Sequence, residues 1–413
     1  MARSHSFHAG RKPFPEALAV QLPPRFVSGP IPFCNPTRAD YRLSDRIRAE
    51  KPPTPTVTEP TTVVPEIDRL WRTRDNRKGR HALRVSWRPP GPEGKRYPRN
   101  TAHPIPIAKG IIRMLTMFPY WDVSFLVAWL FTLGSVIWVI NAFFVWLPLA
   151  APRTEFPHEI LTGGGITAFV GATVFEVGSV LLVLEAINEN QTGCFGWAVE
   201  TVSKKAEDRI EQAVVRVKSD FQTCRHHHVR RHAILKPSET ISDHPHGTSP
   251  KSFRWFPSRA ELRTHYVREI GFQASFVQLI GATIFWISGF TGLPGIQDHL
   301  SQAVTNGVYW VPQIVGGACF VISGLLFTIE TQPKWYVPAP RVLGWHTGLW
   351  NFIGGIGFTL CGVLGPASAN SGVAYQSTLA TFWGSWAFLL GSGIQWYESL
   401  DKYPVVEKKK KKK

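Results

Sequence analysis

Positive charge is all but missing from every second hydrophilic stretch of this 413-residue chain. Six apolar runs, roughly 123–147, 161–185, 272–293, 308–329, 343–365 and 376–397, divide it into seven such stretches. If the runs span a bilayer, alternate stretches face opposite sides. Of the 46 Lys and Arg residues, Arg153 alone then falls on the side away from both termini. Orientation follows this Lys/Arg asymmetry, so the sequence predicts six spans with both termini cytosolic. The same runs argue against a soluble protein. A hydrocarbon core about 30 Å thick needs a helix of ~20 mostly apolar residues, and every run reaches that length.

Other absences narrow the class. There are five cysteines. Cys34, Cys194 and Cys224 lie on the predicted cytosolic face, where thiols stay reduced, and Cys319 and Cys361 lie within spans, so no disulfide framework is expected. The first twenty residues lack a continuous apolar core, and Pro13 and Pro15 interrupt them; Val123–Leu147 is expected to serve as the first signal anchor. Prolines at 13, 15, 23 and 24 also break the amphipathic helix that an Arg-rich presequence requires. No P-loop, dinucleotide fingerprint, HExxH or GxSxG pattern stands in a fitting context. The expectation is therefore a non-enzyme with no cofactor and no bound metal.

What is present divides into two populations, which a mean hydropathy of −0.06 conceals. Residues 1–120 read as a disordered, basic, Pro-rich cytosolic arm. Lys51–Pro65 within it is Pro/Thr low complexity and cannot build a core. The basic run from Arg69 to Arg99, with Arg72, Arg74, Arg77, Lys78 and Arg80, reads as a solvated arm that enforces orientation. Its functional reading is attraction to anionic lipid headgroups, worth about 1 kcal/mol per basic residue near the surface. No nucleic-acid-binding motif accompanies the charge, so nucleic acid is not expected as a partner.

Residues 191–271 form a cytosolic loop. Val199, Val202, Ala206, Ile210, Ala213, Val214, Val217 and Phe221 recur there at helical spacing, as in a helix on the membrane surface or against a protein partner. Ser258 followed by Glu261 is the capping-box pattern. Cys224, His226–His228 and His232 could ligate a metal, but their spacing matches no zinc module. Cys194 is a candidate for palmitoylation. The 401–413 tail ends in Lys408–Lys413, which fits a dilysine endoplasmic-reticulum retrieval signal or a polybasic tail drawn to lipid. Another endomembrane or the plasma membrane is equally compatible.

Self-similarity decides the expected architecture. Glu185, Glu330 and Glu398 each end an even run. Seven and six residues before them stand Gly178-Ser179, Ser323-Gly324 and Gly391-Ser392. Phe175, Phe320 and Phe388 stand ten before, and Gly171-Ala172, Gly316-Gly317 and Gly384-Ser385 fourteen and thirteen before. In the odd runs Gly134, Gly281 and Gly354 align, each followed four residues on by Trp138, Phe285 or Phe358. Small residues seven apart return to nearly the same helix face and let backbones approach in lipid. The predicted fold is all-α: six transmembrane helices arranged as three repeated antiparallel hairpins, over 121–190, 272–330 and 331–400.

The segments LFTLGSVIWVINAFFVWLP (130–148) and FVGATVFEVGSVLLVLEAIN (169–188) resemble the small YrhK-type membrane hairpin domain, most closely over 125–200 and more weakly over 272–400. The resemblance implies a membrane location and a hairpin fold. It implies no activity and no catalytic residue.

Two sets of acids are candidates for chemistry. Glu176 stands near the middle of the second span, where its counterparts are Val321 and Leu389; an acid there costs roughly 2.5 kcal/mol or more unless protonated, paired or solvated. It reads either as a carboxylate facing an internal cavity or as a neutral acid bonded to a neighbouring helix through Asn141, Asn351 or Gln278. Glu185, Glu330 and Glu398 oppose the helix macrodipole at C-terminal ends. Lys109, Arg113, Arg268 and Arg341 are the expected partners. Two functions follow as expectations: a membrane organiser with lipid- or partner-binding arms, or a small-solute or ion transporter coupled through Glu176.

Overall fold

The computed structural model describes residues 27–42, 67–80, 82–85, 100–189, 191–196, 198–199 and 253–407. In chain order these form β1 (Val27–Ser28), β2 (Arg38–Arg42), β3 (Ile67–Arg72), α1 (Thr73–Arg77), β4 (Ala82–Val85), α2 (Pro104–Thr116), α3 (Val123–Ala150), α4 (Gly165–Ile187), α5 (Arg259–Thr264), α6 (Ile270–Thr291), α7 (Val311–Glu330), α8 (Leu343–Leu364), α9 (Ser371–Leu400) and β5 (Val405–Glu407). Apart from Val199, the expected surface helix over 199–221 lies outside the described residues, as do the loop histidines 226–228 and 232 and Lys408–Lys413.

Local chemistry starts several of these helices. The Asp122 side chain accepts from Ser124 N and caps α3. Ser258 and Glu261 form the expected capping box on α5. Asn370 accepts from Gly372 N and Val373 N at the start of α9.

Five helical segments are long and apolar enough to cross a membrane: Val123–Ala150, Glu159–Ile187, Ile270–Thr291, Gln302–Glu330 and Leu343–Ala367. α9, at 30 residues, is as long but more polar. The six long helices close a ring. α3 packs on α4, α4 on α6, α6 on α7, α7 on α8, α8 on α9, and α9 returns to α3.

One aromatic from each helix meets at the centre: Trp138, Phe175, Phe285, Phe320, Phe358 and Phe388, all buried. Their rings meet edge-on or tilted, as in Trp138–Phe358 at 4.9 Å and Phe358–Phe388 at 5.4 Å between centroids. Each stands over a glycine on the neighbouring helix, and the relation is reciprocal. A Cβ at Gly134 would meet Phe175, one at Gly171 would meet Trp138, and the same exchange links Gly281 with Phe320, Gly316 with Phe285, Gly354 with Phe388 and Gly384 with Phe358. The aligned glycines and aromatics of the sequence are thus two halves of one contact. Lipid tails offer helices little hydrophobic gain on association, so such close packing carries the cohesion.

α7 and α8 approach most closely. Added Cβ atoms at Gly348, Gly355 and Gly362, seven residues apart, would lie 2.5–2.9 Å from the backbone nitrogens of Thr328, Val321 and Ile314.

The all-α expectation omits a five-stranded sheet, in the order β1-β2-β3-β4-β5. Its pairs are antiparallel except β4 with β5, where Leu83 faces Val405 and Val85 faces Glu407. Residues 27–42, 67–80 and 82–85 of the arm are therefore ordered, and β4 joins them to the chain after α9. Ala39, Leu70, Trp71, Ala82 and Val405 are buried apolar residues of the sheet. Interspersed arginines in RADYR and IDRLWR obscure the strand pattern in the sequence.

Candidate functional site: a basic helix seated on three glutamates

Between β3 and β4 the chain makes one short helix, α1, and continues through Lys78 and Arg80. Arg74, Asp75, Arg77, Lys78 and Arg80 are all buried, although lone charged side chains rarely are. They are buried because they sit on Glu185, Glu330 and Glu398, which close α4, α7 and α9 and are themselves 0–2% exposed.

The pairing is specific. Arg77 forks both oxygens of Glu330, Nη1 to Oε1 at 2.8 Å and Nη2 to Oε2 at 2.9 Å, and Thr73 Oγ1 donates to Glu330 Oε1 at 2.9 Å. Arg74 donates to Glu398 through Nε at 3.3 Å and Nη2 at 2.7 Å. Arg80 Nη1 bridges Glu398 at 2.8 Å and Asp75 at 2.7 Å. Glu185 Oε1 lies 3.3 Å from Lys78 Nζ and 3.7 Å from Arg77 Nε. Neighbouring segments hold the helix in place. Thr73 N donates to Thr37 O at 3.1 Å, Lys402 Nζ donates to Lys78 O at 2.8 Å, and the same ammonium lies 2.6 Å from Asp122.

The expected compensating cations are different ones. Lys109 and Arg341 are exposed, Arg113 and Arg268 half-buried, and none takes part in these pairs. The reason is geometric. Carboxylates that turn into the ring can be reached only by a segment entering along its axis. The 73–80 segment, assigned by sequence to a solvated arm, is that segment. Its recoverable signal was Arg74, Arg77 and Lys78 at helical spacing opposite three repeated acids.

Burial raises the cost of every charge here. It lowers Lys78, which the nearby Glu185 only partly offsets, to about 8 from 10.5. Arg77 and Arg80 are pulled down by burial and more than restored, by Glu330 and by Asp75 respectively, to above the ordinary arginine value. Between pH 8 and 10.5 the unfolded chain keeps a Lys78 proton that the folded chain has released. Stability should therefore rise with pH across that window, by up to about 3 kcal/mol from this group. Denaturant titration from pH 7.5 to 10.5 should show this slope, and Lys78→Met should flatten it.

A cavity of about 30 Å³ lies between α1 and the aromatic layer, lined by Lys78, Glu185, Gln278, Asn351, Gln395 and Phe175 among others. Its lining mixes polar and apolar side chains, and it is large enough for about two waters. Glu176 does not line it. Its Oε1 accepts from Thr283 Oγ1 on α6 at 2.9 Å, so its bond to a neighbouring helix runs to Thr283 and not to Asn141, Asn351 or Gln278, while its Oε2 is buried without a hydrogen-bond partner. Asn141 instead donates to Gly164 O and Thr167 Oγ1, at 2.6 and 3.0 Å. The small residues Gly171, Gly316, Gly324, Gly384 and Gly391 face close helix contacts, whereas Gly178 has ordinary room beside Phe131 at 3.5 Å. Cys194 is buried with Ala198 and Phe253, so acylation there would require local opening.

No family model, no curated protein and no solved structure matches this chain.

Proposed function

We propose that this protein is a non-enzymatic membrane organiser: a sealed ring of six spans, built from three YrhK-type hairpins, that presents its sheet, loop and tails to the cytosolic surface. One observation carries this reading. The axis is closed twice, by six interlocked aromatics and by α1 ion-paired across the ring end. That arrangement suits a rigid platform better than a solute path.

The sixth span is supported by where the polarity of α9 points. Ser377, Thr381, Ser385, Ser392, Gln395 and Glu398 are all buried, which leaves apolar residues such as Trp386 and Leu390 outward. Placing the arms in the cytosol follows from the Lys/Arg asymmetry. Their basic charge then suits anionic lipid headgroups or an acidic protein partner.

Reconstitution into proteoliposomes tests the proposal. The expected result is no proton or solute flux above empty vesicles from pH 5.5 to 8, with Glu176→Gln identical to wild type. A pH-dependent flux abolished by Glu176→Gln would establish the transporter instead.

A further inference from the structure

Beside the basic helix, four separate segments converge on a second group of polar side chains. Glu189 follows α4, His265 and Glu269 lie on the link from α5 to α6, Asn76 belongs to α1 and Asn35 to the turn before β2. The ligand atoms of Glu189, His265 and Glu269 all lie within 4.8 Å of one another. His265 Nε2 stands 3.4 Å from Glu189 Oε1 and 3.8 Å from Glu269 Oε2.

Glu269 is the second observation. Its side chain is 2% exposed, and neither of its oxygens accepts a hydrogen bond. Its near neighbours are the Glu189 carboxylate, with which it can share a proton in the metal-free protein, and His265 Nε2 at 3.8 Å. A buried carboxylate left so costs several kcal/mol, which a native fold seldom tolerates without a counter-ion, a proton or a metal. Arg77, the nearest guanidinium, gives both of its Nη groups to Glu330.

We propose that Glu189, His265 and Glu269 bind a divalent transition-metal ion, with Zn²⁺ the best fit. The geometry suits it: donors about 2.1 Å from a tetrahedral metal are about 3.4 Å apart. The two edges from His265 are 3.4 and 3.8 Å, and the third is within 4.8 Å. One imidazole with two carboxylates is a mixed N/O set, which favours Zn²⁺, Mn²⁺ or Fe²⁺ over Ca²⁺ or Mg²⁺. A fourth position is left for water.

The surroundings also fit. Asn76 Nδ2 donates to Glu189 Oε2 at 2.7 Å, which holds that oxygen and leaves Oε1 turned to His265. In the metal-free protein the Nε2 proton of His265 serves the Glu189 carboxylate. Binding displaces that one proton, which passes by solvent exchange to Nδ1, and the neutral ring then ligates through Nε2. Asn35 Nδ2 lies 3.5 Å from Nδ1 and 3.1 Å from His265 O, so its amide must turn to offer Oδ1 to the moved proton. The ion would tie α4, α6 and α1 together at the ring end.

The test is Zn²⁺ titration of the chelator-treated full-length protein in detergent, read by calorimetry and by metal content after gel filtration. The expected result is one Zn²⁺ per chain, with at least 100-fold weaker binding in Glu269→Gln and His265→Ala. Asn76→Ala should weaken it by about 10-fold or more. Glu269→Gln removes an unpartnered buried charge, so its metal-free melting temperature should match or exceed wild type while the rise on adding Zn²⁺ disappears. An adventitious loop site is separated by replacing His226, His227 and His228 with alanine together. Retained stoichiometry there supports the proposal. Loss of binding in that variant alone, or no binding of Zn²⁺ or Mn²⁺ by wild type, overturns it.

Discussion

Arg77→Ala should lower the unfolding free energy by about 3–5 kcal/mol, the range for leaving one half of a buried ion pair behind. The guanidinium is 1% exposed and forks Glu330, stands 3.7 Å from Glu185, and lies over the Phe327 ring at 5.4 Å. Truncation strands Glu330 and leaves Glu185 with Lys78 alone, both at helix C-termini where the macrodipole already opposes a carboxylate. The pair itself is worth far less than its rupture, because two buried charges cost desolvation energy that their attraction barely offsets. Arg77→Met combined with Glu330→Gln should therefore recover most of the loss, which a double-mutant cycle in denaturant would quantify. An Arg77→Ala protein within about 0.5 kcal/mol of wild type, the span of an ordinary surface change, would mean that α1 does not sit in the ring.

The second large effect is steric. A Cβ at Gly355 would stand 2.6 Å from Val321 N and 2.9 Å from Phe320 C, both backbone atoms that cannot swing aside. Gly355→Val should part α7 from α8 at a cost near the upper end of the usual 1–3 kcal/mol for overpacking. Flanking glycines 348 and 362 hold the same seam and cannot relieve the strain. Gly178→Ala is the contrast, since its Cβ would meet Phe131 at an ordinary 3.5 Å. It should be neutral, or stabilising by about 0.5–1 kcal/mol as helix propensity improves. Thermal unfolding in detergent compares them. Equal losses at the two sites would sink this account of the glycine pattern.

These contrasts mark where local reading worked. The apolar runs were legible because crossing a bilayer is a demand on composition and length alone, met residue by residue. The capping box at Ser258 was legible because both of its hydrogen bonds lie within four residues. Repeated Gly and aromatic positions could be aligned as well. Their reciprocal seating, Gly134 under Phe175 and Gly171 under Trp138, needed the helices side by side.

The rest depended on partners far apart in the chain. Arg77 and Glu330 are 253 residues apart, and Arg74 and Glu398 are 324 apart. A run of arginines looks the same whether it is solvated or buried against carboxylates. Glu176 looked the sharper acid, because charge inside an apolar run is visible, whereas the direction a side chain takes around a ring is not. His265 and Glu269 stand four residues apart, but Glu189 joins them only when α4 and the approach to α6 are packed together. Hydropathy and charge placement thus settled that apolar helices of membrane-crossing length would form, a matter of each segment and its solvent. Ring closure, the burial of α1 and the convergence of ligands were tertiary outcomes, because each is a contact energy between segments that the linear order keeps apart.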